Sequence, residues 1–94
     1  MAIYMDYPQI TTMEHLQTET SSGCGAVLKY GEHVLVTDLT FKGYTAAVYE
    51  FIETPEETGL GDIECRISRI AQADEYFKDS GSAVLWGFER IKNN

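Results

Sequence analysis

Apolar and polar positions alternate most regularly between residues 25 and 53, in "GAVLKY-GE-HVLVTDLTF-KG-YTAAVYEFIE". A period of two marks β-strands, and the two short breaks mark hairpin turns. Gly31-Glu32 puts glycine first, as a type II′ turn requires, and Lys42-Gly43 puts it second. Two tight turns predict an antiparallel meander whose register they fix.

In that register one face carries Cys24, Ala26, Leu28, Tyr30, Leu35, Leu39, Phe41, Tyr44, Ala46, Val48 and Ile52, and is read as the core. The other carries Val27, Val34, Val36, Ala47, Tyr49 and Phe51, mixed with Lys29, Asp38 and Glu53. This second face is too apolar to stand in water, so a homodimer, or burial on a partner, is expected there.

The flanks follow the same logic. "AIYMDY" alternates as a short strand ended by Pro8. "TTMEHL" matches a capping box, with Thr11 as cap, Glu14 reaching back, and Met13 and Leu16 facing inward. Thr54-Pro55-Glu56-Glu57 is a helix start: threonine as cap, proline first, acids in the first turn. Gly59 and Gly61 break it, and a longer helix is predicted from Asp62 to a stop at Gly81. Leu60, Ile63, Ile67, Ile70, Ala71 and Phe77 fall at helical spacing there, and Asp62–Arg66 and Asp74–Lys78 add pairs four apart. "IECRISRI" also reads as a strand, but the helical pattern spans more residues and has both ends marked. "AVLWGFERI", with Val84, Trp86 and Phe88 on one side, is predicted as the last strand.

The expected fold is therefore a single α+β domain over residues 1–94. It is an antiparallel meander with one long and one short helix, in the order β-α-β-β-β-α-β.

Charge changes the picture more than composition does. An apolar fraction of 44% and an aromatic fraction of 12% suit a globular domain, but 15 acidic residues against 7 basic ones leave a net charge of −8. Residues 1–65 hold eleven acids and two bases (−9), and residues 66–94 hold four acids and five bases (+1). Such a surface repels phosphate backbones and anionic lipid, so neither direct nucleic-acid nor membrane binding is expected. A basic protein surface is the expected partner, including that of a nucleic-acid-binding protein. "MAIYMDYPQI" lacks the basic and long apolar regions of a signal peptide, and two cysteines are too few for a disulfide scaffold. A cytoplasmic protein with two reduced thiols is expected.

No motif fixes a reaction. Cys24, between glycines, invites a nucleophile reading, but the register sets it far from His33 and the simpler role is a small core thiol. Cys24, Cys65, His15 and His33 lack the close ligand spacing of structural zinc, and Cys65 reads as core. "TGLGD" is a helix break without the lysine or full glycine fingerprint of a phosphate loop, and "EETGLGDIE" does not follow a calcium loop. Paired acids for glycoside hydrolysis find little room for a substrate cleft in 94 residues. Neither a cofactor nor a metal is expected.

What remains is the acidic row "EFIETPEETGLGDIEC", flanked by aromatic side chains. Glu50, Glu53, Glu56, Glu57, Asp62 and Glu64, with Tyr49 and Phe51, are the candidate partner-binding residues. They predict a small, non-enzymatic protein that acts by occluding a basic partner surface. An inhibitor, an immunity protein and a phage anti-defence factor of the anti-CRISPR type all fit, with the carboxylates standing in for phosphates as a nucleic-acid mimic does. The competing prediction is a small enzyme or ligand-binding domain using Cys24 or a pocket beside the sheet.

Overall fold

The computed structural model describes residues 7–20 and 25–93. The strand expected over residues 2–7 lies outside them except for Tyr7, and Cys24 lies outside them as well.

The chain runs β1 (Ile10–Thr12), α1 (Met13–Glu19), β2 (Ala26–Tyr30), β3 (His33–Thr40), β4 (Gly43–Phe51), α2 (Pro55–Thr58), a 3₁₀ turn (Asp62–Glu64), β5 (Arg66–Gln72) and α3 (Ser80–Lys92). The five strands form one antiparallel sheet in the order β1-β5-β4-β3-β2. The α+β class and the meander are as the pattern predicts. Among the described residues no helix is long and apolar enough to cross a membrane.

The first turn forms at Gly31-Glu32, with Tyr30 opposite His33 and Gly31 at φ +60°. The second is Phe41-Lys42 rather than Lys42-Gly43, because Thr40 pairs with Gly43 and Leu39 with Tyr44. Thr40 sets this turn: its hydroxyl donates to the Gly43 carbonyl (2.9 Å) and accepts from the Lys42 amide (3.2 Å). The pairing slides by two residues, an even number, so the residues that remain in the strands keep their faces. Phe41 moves out of the core face to the tip of the turn.

The last two elements are exchanged relative to expectation. Residues 66–72 form a strand between β1 and β4, the alternative reading of "IECRISRI". "AVLWGFERI" lies within helix α3. Its start is Asp79, whose carboxylate accepts from the Ser82 amide at 2.7 Å, so Gly81 opens this helix instead of closing an earlier one. The expected Asp62–Arg66 helix pair is likewise replaced: Asp62 pairs with Lys29 and Arg66 with Glu53.

Both faces of the sheet are covered within the chain. α3 packs on β3 and β4, burying Leu35, Ala46 and Val48 beneath Ala83 and Gly87. The second face holds the larger cluster: Val34, Val36, Ala47, Tyr49 and Ile67 pack with Tyr7, Met13 and Leu16. Met13 and Leu16 thus point inward as expected, although the cap of α1 is Thr12 and not Thr11. With that face closed by α1 and Tyr7, its apolar character no longer argues for a homodimer.

Candidate functional site

The acidic row runs from the end of β4 through α2 to the 3₁₀ turn, and local chemistry decides where each carboxylate goes. Thr54 caps α2 by accepting from the Glu57 amide (3.4 Å), while the Glu57 carboxylate accepts from the Thr54 amide (3.2 Å). Pro55 stands first in the helix and Gly59 ends it. This one-turn block is the rim of the site. Thr54→Ala is expected to lower stability by about 1 kcal/mol, seen as a lower urea midpoint with an unchanged slope.

Glu53 turns inward. It accepts from the Arg66 backbone amide (2.9 Å) and from Arg66 Nε (3.0 Å), and these bonds, the backbone one foremost, hold its carboxyl below the usual glutamate range. Asp62 binds Lys29 Nζ at 2.7 Å, and Lys29 also lies 5.7 Å from the centroid of the half-buried Phe51 ring. Glu50, Glu56 and Glu64 stay exposed. Tyr49 is not available to a partner: it is fully buried, and its hydroxyl donates to the Pro8 carbonyl at 2.8 Å.

The fold then adds residues that lie far off in sequence. Pairing His33 with Glu50 brings the β2–β3 turn beside the end of β4. The Phe51 amide donates to the Glu32 carbonyl (3.2 Å), which fastens that turn. Between this turn and α2 opens a cleft of about 250 Å³, lined by Lys29, Glu32, His33, Glu50, Phe51, Glu53 and Asp62 among others. Lys29, Glu32 and His33 were not among the expected site residues, although the hairpin register already set His33 near this end of the sheet. Two carboxylates here, Glu53 and Asp62, are neutralised by neighbours, which leaves Glu32 and Glu50 as the anionic mouth. Such a cleft suits a cationic side chain held at its mouth by Glu32 and Glu50, beside the Lys29 that already lies over Phe51.

Other chemistry is sparser. Cys65 is fully buried, with Thr58 Oγ1 at 3.5 Å, as a core thiol should be. His15 faces Glu19 at 3.8 Å on exposed α1, and among the described residues no three His, Cys, Asp or Glu side chains gather as a metal site would need.

No curated protein and no solved structure matches this chain. A family model described as nucleotide modification associated domain 4 matches residues 7–91. That match runs from the buried Tyr7 to the last turn of α3 and takes in the whole sheet, so the chain belongs to the nucleotide modification associated domain 4 family.

Proposed function

We propose that this domain works by binding a basic protein of a nucleotide-modification system, and that it acts through occlusion of that partner's nucleic-acid-binding surface. The observation that carries this reading is the acidic cleft. Glu32 and Glu50 at its mouth and Phe51 within it, with the exposed Glu56 on the neighbouring α2, present anionic and aromatic chemistry on one end of the sheet. An arginine or lysine entering there would meet carboxylates at the places a phosphate would otherwise occupy. The family's association with nucleotide modification supports a partner that handles nucleic acid.

The test separates carboxylates that face solvent from those that hold the fold. Glu53 and Glu57 are fastened to Arg66 and Thr54, so the informative triple change is Glu32→Lys, Glu50→Lys and Glu56→Lys. Against a partner recovered with the unaltered domain, association should slow roughly tenfold at low salt. The loss should shrink toward 1 M salt, as the Debye length falls from about 10 Å to about 3 Å. Lys78→Glu with Lys92→Glu is the control. Equal slowing by both sets, or slowing independent of salt, would show the acids to be a solvated face only.

A further inference from the structure

α3 rests on the sheet through Ala83 and Gly87, both buried. Leu85 stands two residues from each of them, so at about 100° per residue its side chain leaves the opposite side of the helix. There it is 58% exposed. Phe88, about one turn on, sets its ring 4.3 Å from the Tyr30 ring, yet 39% of it stays exposed. Gly81 lies four residues before Leu85, and Lys92 four after Phe88. These positions, spaced four, three and four, form one stripe down the solvent side of α3. Its two central residues are large and apolar, and nothing in the packing of α3 on its own sheet requires Leu85 to be so.

Charge decides what can cover this stripe. Residues 1–65 carry −9, so two copies meeting there would repel each other, whereas residues 66–94 carry +1. The two ends of α3 differ in sign. Asp74, Glu75 and Asp79 against Lys78 give residues 74–79 a charge of −2, and Arg90 and Lys92 against Glu89 give residues 89–92 a charge of +1. A surface this balanced offers no complement to a polycation or a polyanion. A helix that is acidic before its start and basic at its end does complement an antiparallel copy of itself.

We propose that α3 pairs antiparallel with α3 of a second copy of this chain, giving a two-fold symmetric dimer with a sheet on each outer side. Pairing about the point between Leu85 and Phe88 sets Leu85 of each copy on Phe88 of the other. Lys92 then comes beside Gly81 and the acidic segment of the second copy. Gly81 leaves room for it: among the described residues a Cβ there would meet only Asp79 Oδ1, at 3.4 Å. Glu89 falls on the flank that carries Ser82 in the second copy, so no like charges are forced together along the seam. The stripe shares no residue with the lining of the acidic cleft, so the dimer goes beyond the occlusion reading.

The test uses the domain alone, so its outcome does not depend on the partner of the acidic cleft. α3 has 13 residues, so the seam is roughly 20 Å long and roughly 10 Å wide. That is far less than the roughly 800 Å² per partner of a tight complex, so the dimer should be weak. Sedimentation velocity from about 10 μM to about 1 mM should show a concentration-dependent shift from monomer to dimer. Leu85→Glu should weaken the dimer by roughly tenfold or more. The circular dichroism and urea midpoint of the monomer should stay unchanged, because Leu85 is exposed there. Cross-linking reads the direction of the helices. In a Cys24→Ser background, with Cys65 buried, copies carrying Gly81→Cys should form disulfides with copies carrying Lys92→Cys faster than either does with itself. A monomer at every concentration would overturn the proposal, as would a dimer indifferent to Leu85→Glu. So would a preference of Lys92→Cys for its own kind, which would set the helices parallel.

Discussion

Replacing Gly87 with valine is expected to destabilise the domain by about 2–3 kcal/mol, read as a lower urea midpoint. On an isolated helix the opposite sign would be expected, because glycine in a helix interior costs about 1 kcal/mol against alanine. Here packing decides. A Cβ on Gly87 would stand 2.1 Å from Leu35 Cδ1 and 3.0 Å from Leu35 Cγ. Leu35 is fully buried and opposes Val48 across the ladder, so it has little room to turn away. Either α3 lifts from the sheet or Leu35 leaves its rotamer. Leu35→Ala alone should also destabilise, but the double variant should lose less than the sum, because the valine enters the space the leucine vacates. Strict additivity, or a midpoint that rises with Gly87→Val, would mean that α3 does not rest on this face.

Raising the pH from 10 to 12 should remove about 2 kcal/mol of stability through one phenol. Tyr7 is buried, and burial pushes its ionisation up to about 12; its hydroxyl lies 2.5 Å from Thr45 Oγ1, which acts the other way, and Asp38 adds to the rise. In the unfolded chain a tyrosine ionises near pH 10. Between the two values the unfolded state gives up a proton that the folded state keeps, so stability falls with rising pH. The contribution is intact below pH 10 and is lost as pH rises through 12. Urea unfolding followed across this window should show the fall, and Tyr7→Phe should flatten it. An equal slope in Tyr7→Phe would assign the loss to other groups.

The parts of this fold that were legible are those where local chemistry and the final contacts agree. The meander declares itself through Gly31-Glu32 and unbroken alternation, and α2 through its threonine, proline and glutamates. β5 was misread because of one residue. A bulge leaves Ile70 over between Arg69, opposite Tyr49, and Ala71, opposite Val48. The strand's apolar set therefore loses its period of two, and Ile67 and Ile70 fall three apart, as in a helix. α3 was misread for the converse reason: Val84, Trp86 and Phe88 happen to alternate. Its true signal is Asp79, three residues before Ser82 and followed by Ala83, Gly87 and Ile91 at four-residue steps.

The site was legible only along the chain. The acidic row could be seen, but not that Arg66 would claim Glu53 or that Lys29 would claim Asp62, since both partners arrive through sheet pairing. Tyr49 was misassigned because the second face seemed to lack cover. That cover comes from Tyr7, Met13 and Leu16, three residues in a segment whose polar neighbours hide them.

The strand order carries a consequence for how the domain is made. β1 is the first of the described strands, yet its neighbour is β5, with Thr12 beside Arg66 and Ile10 beside Ser68. During synthesis β2, β3 and β4 can zip together through their two-residue turns, but β1 must wait until β5 has left the ribosome. Until then Val34, Val36 and Tyr49 keep only part of their shelter, and Leu35 and Val48 none until α3 emerges. Closure between β1 and β5, which lie far apart in sequence, is thus the slow, entropically opposed step. It makes the nascent meander the species that a cell must protect from aggregation.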